Sequence, residues 1–169
     1  GEPAGLHEVL VMQERKTAAY SFTLPLQAAA ILAGAGEDLI GGLAEVGRLL
    51  GVAFQLLDDL QGVFGDEAVT GKSALGDLRE GKCTPLIVHA RATDAWGQLA
   101  PLVGDPQLTG AQAARARQLL VACGARDAVE ALAREHLDAA LTLAADLDLP
   151  DDVLTWMATL GTGLMRRAA

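Results

Sequence analysis

Residues 43–62 read LAEVGRLLGVAFQLLDDLQG, the longest part of the sequence in which apolar side chains continue over several helical turns. On a helical wheel of about 100° per residue, its apolar side chains cover most of the circumference. A helix that is apolar over so much of its surface is normally buried in a protein core. We therefore predict a long central helix from Asp38 to Phe64, with Asp38 as its N-cap.

One narrow stripe of this helix is not apolar. A stripe that faced solvent would be expected to carry Lys, Glu and Arg, whereas several positions here have no side chain at all. We interpret the stripe as the wall of a cavity, in which glycines leave room beside an amide and a pair of carboxylates. Its members are Gly47, Gly51, Gln55, Asp58 and Gly62, with Asp59 at the edge.

The adjacent carboxylates Asp58 and Asp59 suit a hard cation. Buried carboxylates need a positive partner or take up protons, and two neighbouring ones raise that cost. The sequence has no His or Cys cluster and no EF-hand spacing, which leaves Mg²⁺ as the indicated ion. Mg²⁺ usually bridges one or two carboxylates to phosphate. We predict Asp58 and Asp59 as metal ligands; the alternative is a solvated pair at a helix end.

The lysines indicate that phosphate. Of 13 basic residues only Lys16, Lys72 and Lys82 are lysines, and two of them lie in the glycine-rich segment that follows the aspartates. A compact ammonium on a long stem binds a phosphate oxygen as a point charge. Ordinary surface positions are the alternative, but the C-terminal helices contain no lysine.

Composition and charge narrow the class of protein. Hydrophobic residues make up 51% of the 169 residues, and Ala and Leu far outnumber Val and Ile, which favours helix. The net charge of −9 is opposite to that of a duplex-binding module. The most apolar run, 24–36, falls short of the roughly 20 residues of a membrane span. We expect a cytoplasmic all-α protein, a single helical domain over 1–169, with no nucleic-acid partner and no transmembrane segment.

Turn and capping signals divide the rest of the chain. Thr109 and Gln112 have the spacing of a capping box, and Pro25 is expected to interrupt the first helical segment. A long glycine-rich loop with one helical turn, 65–81, is typical of a functional segment. We predict the remaining helices over 6–22, 26–35, 84–99, 109–124, 126–147 and 151–167.

Five short motifs occur in the order known from one enzyme family. Between about Val11 and His89 the chain resembles the C-terminal half of a trans-isoprenyl (polyprenyl) diphosphate synthase of the geranylgeranyl or farnesyl type. The resemblance implies an isoprenoid synthase-type helical bundle, of which about six to seven helices belong to this half. The motifs are Lys16-Thr17-Ala18, Phe54-Gln55-Leu56-Leu57-Asp58-Asp59, Gly65-Asp66, Thr70-Gly71-Lys72 and the run from Asp77 to Pro85.

The same resemblance implies a reaction and a homodimer. Mg²⁺ ions between two aspartate-rich motifs bind an allylic diphosphate, the diphosphate leaves, and isopentenyl diphosphate adds to the allylic cation. Fixed cations meet the charge that develops on the leaving group. By position, the resemblance implies that Asp58 and Asp59 bind Mg²⁺. It implies that the diphosphate is bound by Lys16, Lys72 and, less directly, Lys82. Thr17 and Gln55 would lie near the carbocation.

Two features depart from the family pattern. The family has a third aspartate three residues after the pair, where this chain has Gly62. The first aspartate-rich motif and the isopentenyl diphosphate site lie upstream in the family and are absent from this sequence. We therefore expect that this chain is the C-terminal part of a longer synthase and is inactive without the N-terminal half.

Three other functions stay open. A class I terpene cyclase usually has a second metal motif of Asn, Ser and Glu, which is not found here. A non-catalytic partner subunit is favoured by the missing first motif, whereas the intact set of candidate residues argues against it. A helical interaction module would tolerate Asp58→Ala and Lys72→Ala.

Overall fold

The structure, a computed structural model, describes the backbone of residues 4–65 and 75–168, and their side chains as far as residue 165. These ranges contain helices and no strand, so the predicted all-α class is confirmed. The elements are α1 (Leu6–Gln13), a π-helix (Glu14–Thr23), α2 (Leu24–Leu32), α3 (Glu37–Phe64), α4 (Gly76–Glu80), α5 (Pro85–Arg91), α6 (Trp96–Leu99), a 3-10 turn (Ala100–Leu102), α7 (Gly110–Ala122), α8 (Ala125–Asp146) and α9 (Asp151–Ala168).

The helices group into two units. The α3-end unit comprises residues up to Val9 together with Leu56–Ala131, and the α3-start unit comprises Leu10–Gln55 with Leu132–Arg167. Helices α1, α3 and α8 contribute residues to both units. The single domain over 1–169 stays a prediction.

The core of the α3-start unit confirms that α3 is a buried central helix. Its buried residues recur three or four positions apart, which places each set on one helix face. Partly buried side chains such as Phe22, Leu26 and Leu49 pack against this core. The core residues are Val46, Leu50 and Ala53 of α3, Leu137, Ala140 and Ala144 of α8, and Met157 of α9.

Helix α3 is also, within the described ranges, the one helix long and apolar enough to cross a membrane. Burial in the protein accounts for its composition, because a core helix needs apolar residues on most of its surface. Val46, Ala53 and Leu56 are fully buried. The most apolar stretch of the sequence, 24–36, contains α2, which ends at Leu32.

The expected interruption at Pro25 is wrong, because the chain remains helical from Leu6 to Leu32. Glu14–Thr23 is a π-helix, after which the Leu24 N–H donates to the Ala19 carbonyl five residues back. Pro25 then lies in the first turn of α2, where a missing N–H is tolerated. A π-helix of 10 residues is long for a form that is mostly found as a single turn.

Glycines of α3 bring the π-helix close to α3 and do not line a cavity. A Cβ on Gly47 would lie 2.8 Å from the Cα atom and 2.9 Å from the N atom of Thr23, and one on Gly51 would overlap Ala18. Both glycines are buried. The interpretation of these two positions as the wall of a cavity is therefore wrong, because the π-helix takes that room.

The helices predicted over 109–124, 126–147 and 151–167 closely match α7, α8 and α9, whereas the helix predicted over 26–35 ends at Leu32. Helix α3 begins at Glu37, so Asp38 lies in its first turn and is not its N-cap. The capping box is confirmed: the Gln112 N–H donates to Thr109 Oγ1, and the Thr109 N–H donates to Gln112 Oε1 at 2.9 Å. The predicted helix over 84–99 is divided into α5 and α6. Thr93 Oγ1 donates to the Ala90 carbonyl at 2.8 Å and closes the turn between them, a local bond that competes with helix.

The close contact at Gly47 gives a prediction for stability. Gly47→Ala should lower the free energy of unfolding by about 1–3 kcal/mol, because the new methyl group meets backbone atoms that cannot rotate away. Gly41→Ala is the matched control on the same helix, since nothing lies within 4 Å of its position. The control should be neutral or stabilising by up to about 1 kcal/mol. Urea denaturation measures both, and equal midpoints would contradict the close packing.

Candidate functional site

The two adjacent carboxylates lie near the end of α3, in the α3-end unit. Asp59 is only 6% exposed and Asp58 is half-buried. Their neighbours Leu56, Leu57 and Leu60 are buried. A solvated pair at a helix end therefore does not describe Asp59, since ionised carboxylates are left in such surroundings only with compensating partners.

Two arginines hold the C-terminal end of α3, just beyond the carboxylates. Arg117 Nε donates to the Val63 carbonyl at 2.6 Å. The Arg126 guanidinium lies 5.1 Å from the centroid of the Phe64 ring. Because the last carbonyls of a helix carry partial negative charge, cations there stabilise it. The contacts of both arginines with α3 could not be predicted, since nothing in the spacing of these residues along the sequence relates them to that helix.

Thr17 and Gln55 meet in the α3-start unit, as their shared predicted role requires. Thr17 Oγ1 donates to Gln55 Oε1 at 2.8 Å in a partly buried position. The approach of Ala18 to Gly51, one turn before Gln55, is what brings the π-helix this near to α3. The bond fixes the direction of the hydroxyl. Its hydrogen points at Gln55 Oε1, and the lone pairs of its oxygen are directed away from that amide.

Two of the three lysines lie within the described residues, and their surroundings differ. Lys16 is exposed on the π-helix. Lys72 lies in 66–74, outside the described residues. Lys82 is half exposed and forms an ion pair with the carboxylate of Asp77, while a Glu80 oxygen lies 3.6 Å from its Nζ atom. The hydrogen bond that Lys82 donates to the Asp77 carboxylate raises the pKa of Lys82 above its ordinary value.

The Asp77–Lys82 pair is built by a short helical turn that ends in a glycine. Gly81 has a φ of 64°, a left-handed conformation that glycine adopts without strain. The Lys82 N–H donates to the Asp77 carbonyl at 3.1 Å and the Gly81 N–H to the Leu78 carbonyl at 3.2 Å. This is the Schellman arrangement, which folds the chain after the helix back on its first residues. This turn holds Asp77 next to Lys82, a pairing that no motif in the sequence indicates.

The carboxylates suit a magnesium ion that is shared with a ligand. Within 4–65 and the described part of the C-terminal stretch, no group of three or more His, Cys, Asp and Glu side chains could hold a metal. Asp58 and Asp59 supply hard oxygen donors from adjacent positions of α3. Because Mg²⁺ commonly takes one or two carboxylates and completes its shell with phosphate and water, this donor set fits Mg²⁺ bound together with a diphosphate.

Comparison with protein families and curated sequences identifies relatives for most of the chain. The model of the polyprenyl synthetase family matches residues 4–120. The (2E,6E)-farnesyl diphosphate synthase of Mycobacterium tuberculosis is 36% identical over 154 residues, which are 86% of this chain and 42% of that protein. The geranylfarnesyl diphosphate synthase of Aeropyrum pernix is 39% identical over 111 residues, 66% of this chain and 35% of that protein. The chain thus spans less than half the length of these relatives.

Solved structures share the fold. The geranylgeranyl pyrophosphate synthase of Corynebacterium glutamicum, solved with isoprenyl diphosphate and magnesium, has a TM-score of 0.89 and 33% identity over 98% of this chain and 48% of that chain. The polyprenyl synthase of Caulobacter crescentus CB15, solved with calcium and isoprenyl diphosphate, has a TM-score of 0.86 and 30% identity over 98% of this chain and 51% of that chain. The isoprenoid synthase-type helical fold expected from the resemblance is confirmed.

The Thr17–Gln55 bond predicts an energetic coupling. Thr17→Val and Gln55→Leu should each lower the free energy of unfolding by about 1 kcal/mol, and the double variant should fall short of their sum by about 0.5–1 kcal/mol. Thr23→Val is the matched control from the same π-helix, because its hydroxyl lies 3.5 Å from the Ala44 carbonyl, at the limit of a hydrogen bond. Additive effects of Thr17→Val and Gln55→Leu would show that the bond does not form.

The raised pKa of Lys82 predicts a pH dependence. A lysine whose folded-state pKa is raised stabilises the fold below its unfolded value, and the contribution is lost as the pH rises through the folded value. Lys82→Met should therefore lower the free energy of unfolding at about pH 8 by up to about 1 kcal/mol, the range of exposed ion pairs. The difference from the unmodified chain should shrink as the pH is raised well above 10.5, the ordinary value. A difference that does not vary with pH would contradict the ion pair.

Proposed function

The chain belongs to the polyprenyl synthetase family, and we propose that it is the C-terminal part of an Mg²⁺-dependent prenyltransferase. This enzyme condenses isopentenyl diphosphate with an allylic diphosphate to give a longer polyprenyl diphosphate. The observation that carries the proposal is the Asp58–Asp59 pair near the end of a core helix, with Asp59 almost fully buried. Relatives named as farnesyl, geranylfarnesyl and geranylgeranyl diphosphate synthases support it.

The proposed role of Asp58 and Asp59 is to hold Mg²⁺ against the diphosphate of the allylic substrate. When bound there, the ion would supply positive charge to the phosphate oxygens of the leaving diphosphate. Two carboxylates from one rigid helix would hold such an ion at a fixed place, so little reorganisation is needed as the diphosphate leaves. The two arginines at the end of α3 keep this part of the helix in position.

The proposed role of the lysines is to bind the leaving diphosphate. Each ammonium of Lys16, Lys72 and Lys82 donates to phosphate oxygens and opposes the negative charge that grows on them. Thr17 and Gln55 act at the other end of the breaking bond. Since the Thr17 hydroxyl donates its hydrogen bond to Gln55, the lone pairs of the hydroxyl oxygen are available to stabilise the allylic cation.

The proposal requires protein beyond this chain. In the family the first aspartate-rich motif and the isopentenyl diphosphate site lie upstream of the part matched here, and this chain spans 42% of the farnesyl diphosphate synthase relative. We propose that catalysis needs an N-terminal half of the same fold, and that the complete enzyme is a cytoplasmic homodimer.

The proposal is tested with isopentenyl diphosphate, an allylic diphosphate and Mg²⁺, using the chain alone and in the complete synthase. The chain alone should form no product. In the complete synthase, Asp58→Asn and Asp59→Asn should lower kcat/KM by at least about 100-fold, the effect of removing charge that stabilises a leaving group. Asp38→Asn makes the same change at an exposed position in the first turn of α3 and is the matched control.

Two outcomes would contradict the proposal. Unchanged turnover in Asp58→Asn and Asp59→Asn would remove the metal site. Absence of product in every preparation, with Mg²⁺-dependent binding of inorganic diphosphate retained, would indicate the non-catalytic partner subunit or a terpene cyclase instead.

A further inference from the structure

Gly62 stands where the family pattern has its third aspartate, and another carboxylate takes up the space beside it. A Cβ built on Gly62 would lie 2.8 Å from Cγ of Asp77 and still closer to one of the carboxylate oxygens. Gly62 follows Asp58 by four residues and Asp59 by three, so the three positions lie close together on the surface of α3. Asp77 thus brings a carboxylate from α4 to the place that a side chain at position 62 would fill.

The Asp77 carboxylate is well placed to hold Lys82. Its side chain is 16% exposed, whereas that of Glu80, the other acid near Lys82, is 65% exposed. An ion pair that is shielded from water is screened less than an exposed one. The pairing with Asp77 is therefore the one that restricts the lysine.

The position of Asp77 is fixed independently of Lys82. Arg79 donates to the Leu108 carbonyl through two nitrogen atoms, at 2.6 and 3.1 Å. The Gly104 N–H donates to the Leu78 carbonyl at 2.7 Å, and the Leu78 side chain is buried. These bonds hold α4, so Asp77 can act as an anchor for a long and otherwise mobile ammonium stem.

We infer that Asp77 is a positioning residue for Lys82, and that the missing side chain at position 62 leaves room for the Asp77 carboxylate. The role of Lys82 in binding diphosphate rests on the proposed function. An ammonium that is already oriented loses less conformational freedom when it binds, and affinity rises accordingly. An aspartate at position 62 would force the Asp77 carboxylate away, through overlap and through repulsion between like charges.

The first test measures Lys82 without any substrate. Acetylation of the chain with acetic anhydride, followed by peptide mass spectrometry, gives the rate at Lys82 relative to that at Lys16. Asp77→Asn and Gly62→Asp should each raise this ratio about threefold, because loss of the ion pair leaves more neutral amine. Glu80→Gln, the same charge change in the same helix, is the matched control and should leave the ratio near its original value.

An exchange of the two side chains separates this arrangement from general damage. Gly62→Asp combined with Asp77→Gly returns a single carboxylate to the same space from the side of α3. The double variant should restore a low acetylation ratio, although each single variant raises it. A merely structural role would make the two changes additive. Additive increases, or no increase in Asp77→Asn, would overturn the inference.

The second test separates the inference from the proposed function. The affinity for inorganic diphosphate with Mg²⁺, measured by calorimetry on the complete synthase, should fall about threefold in Asp77→Asn and recover in the exchanged variant. Lys82→Met is measured in parallel. If acetylation follows the pattern above but Lys82→Met binds diphosphate normally, the pairing of Asp77 with Lys82 is supported and the proposed role of Lys82 is overturned. If Lys82→Met loses affinity while Asp77→Asn keeps it, the positioning role is overturned and the proposed function stands.

Discussion

Close packing between the π-helix and α3 organises the α3-start unit. At Gly47 and Gly51 the two backbones approach without a side chain between them. Many weak dispersion contacts add up in such a packed contact, and even one additional methyl group would separate the helices. The same approach brings Thr17 to Gln55. Packing of the α3-start core and formation of the Thr17–Gln55 bond therefore rest on one contact.

Sequence patterns predicted the elements that local chemistry controls. The apolar surface of residues 43–62 predicted α3, and the Thr109–Gln112 spacing predicted the start of α7, because burial and capping are written into neighbouring residues. The π-helix could not be predicted. Its residues have ordinary helix propensities, and the residues of α3 that it contacts lie far from it in the sequence.

The candidate site was predictable to the same limited degree. Asp58 and Asp59 stand out because acids are costly in an apolar helix. The glycines next to them were misinterpreted, since a missing side chain is compatible with either an open space or a close neighbour. At Gly47 the neighbour is backbone and at Gly62 it is the Asp77 carboxylate. Only the folded chain distinguishes these cases, because the partners lie far from the glycines in sequence.

The π-helix also sets the rotational phase of the first helical segment. An α-helix turns by about 100° per residue, and a π-helix turns by less. The side chains before and after the π-helix therefore point in other directions, relative to one another, than they would along a regular α-helix. Deleting one residue from the segment 14–23 would tighten its turns toward the regular pitch and would shift the residues that contact Gly47 and Gly51 of α3. Lys16 and Thr17 would then be carried round the helix axis relative to α2. The length of this segment, and not only its composition, is thus part of what specifies the site.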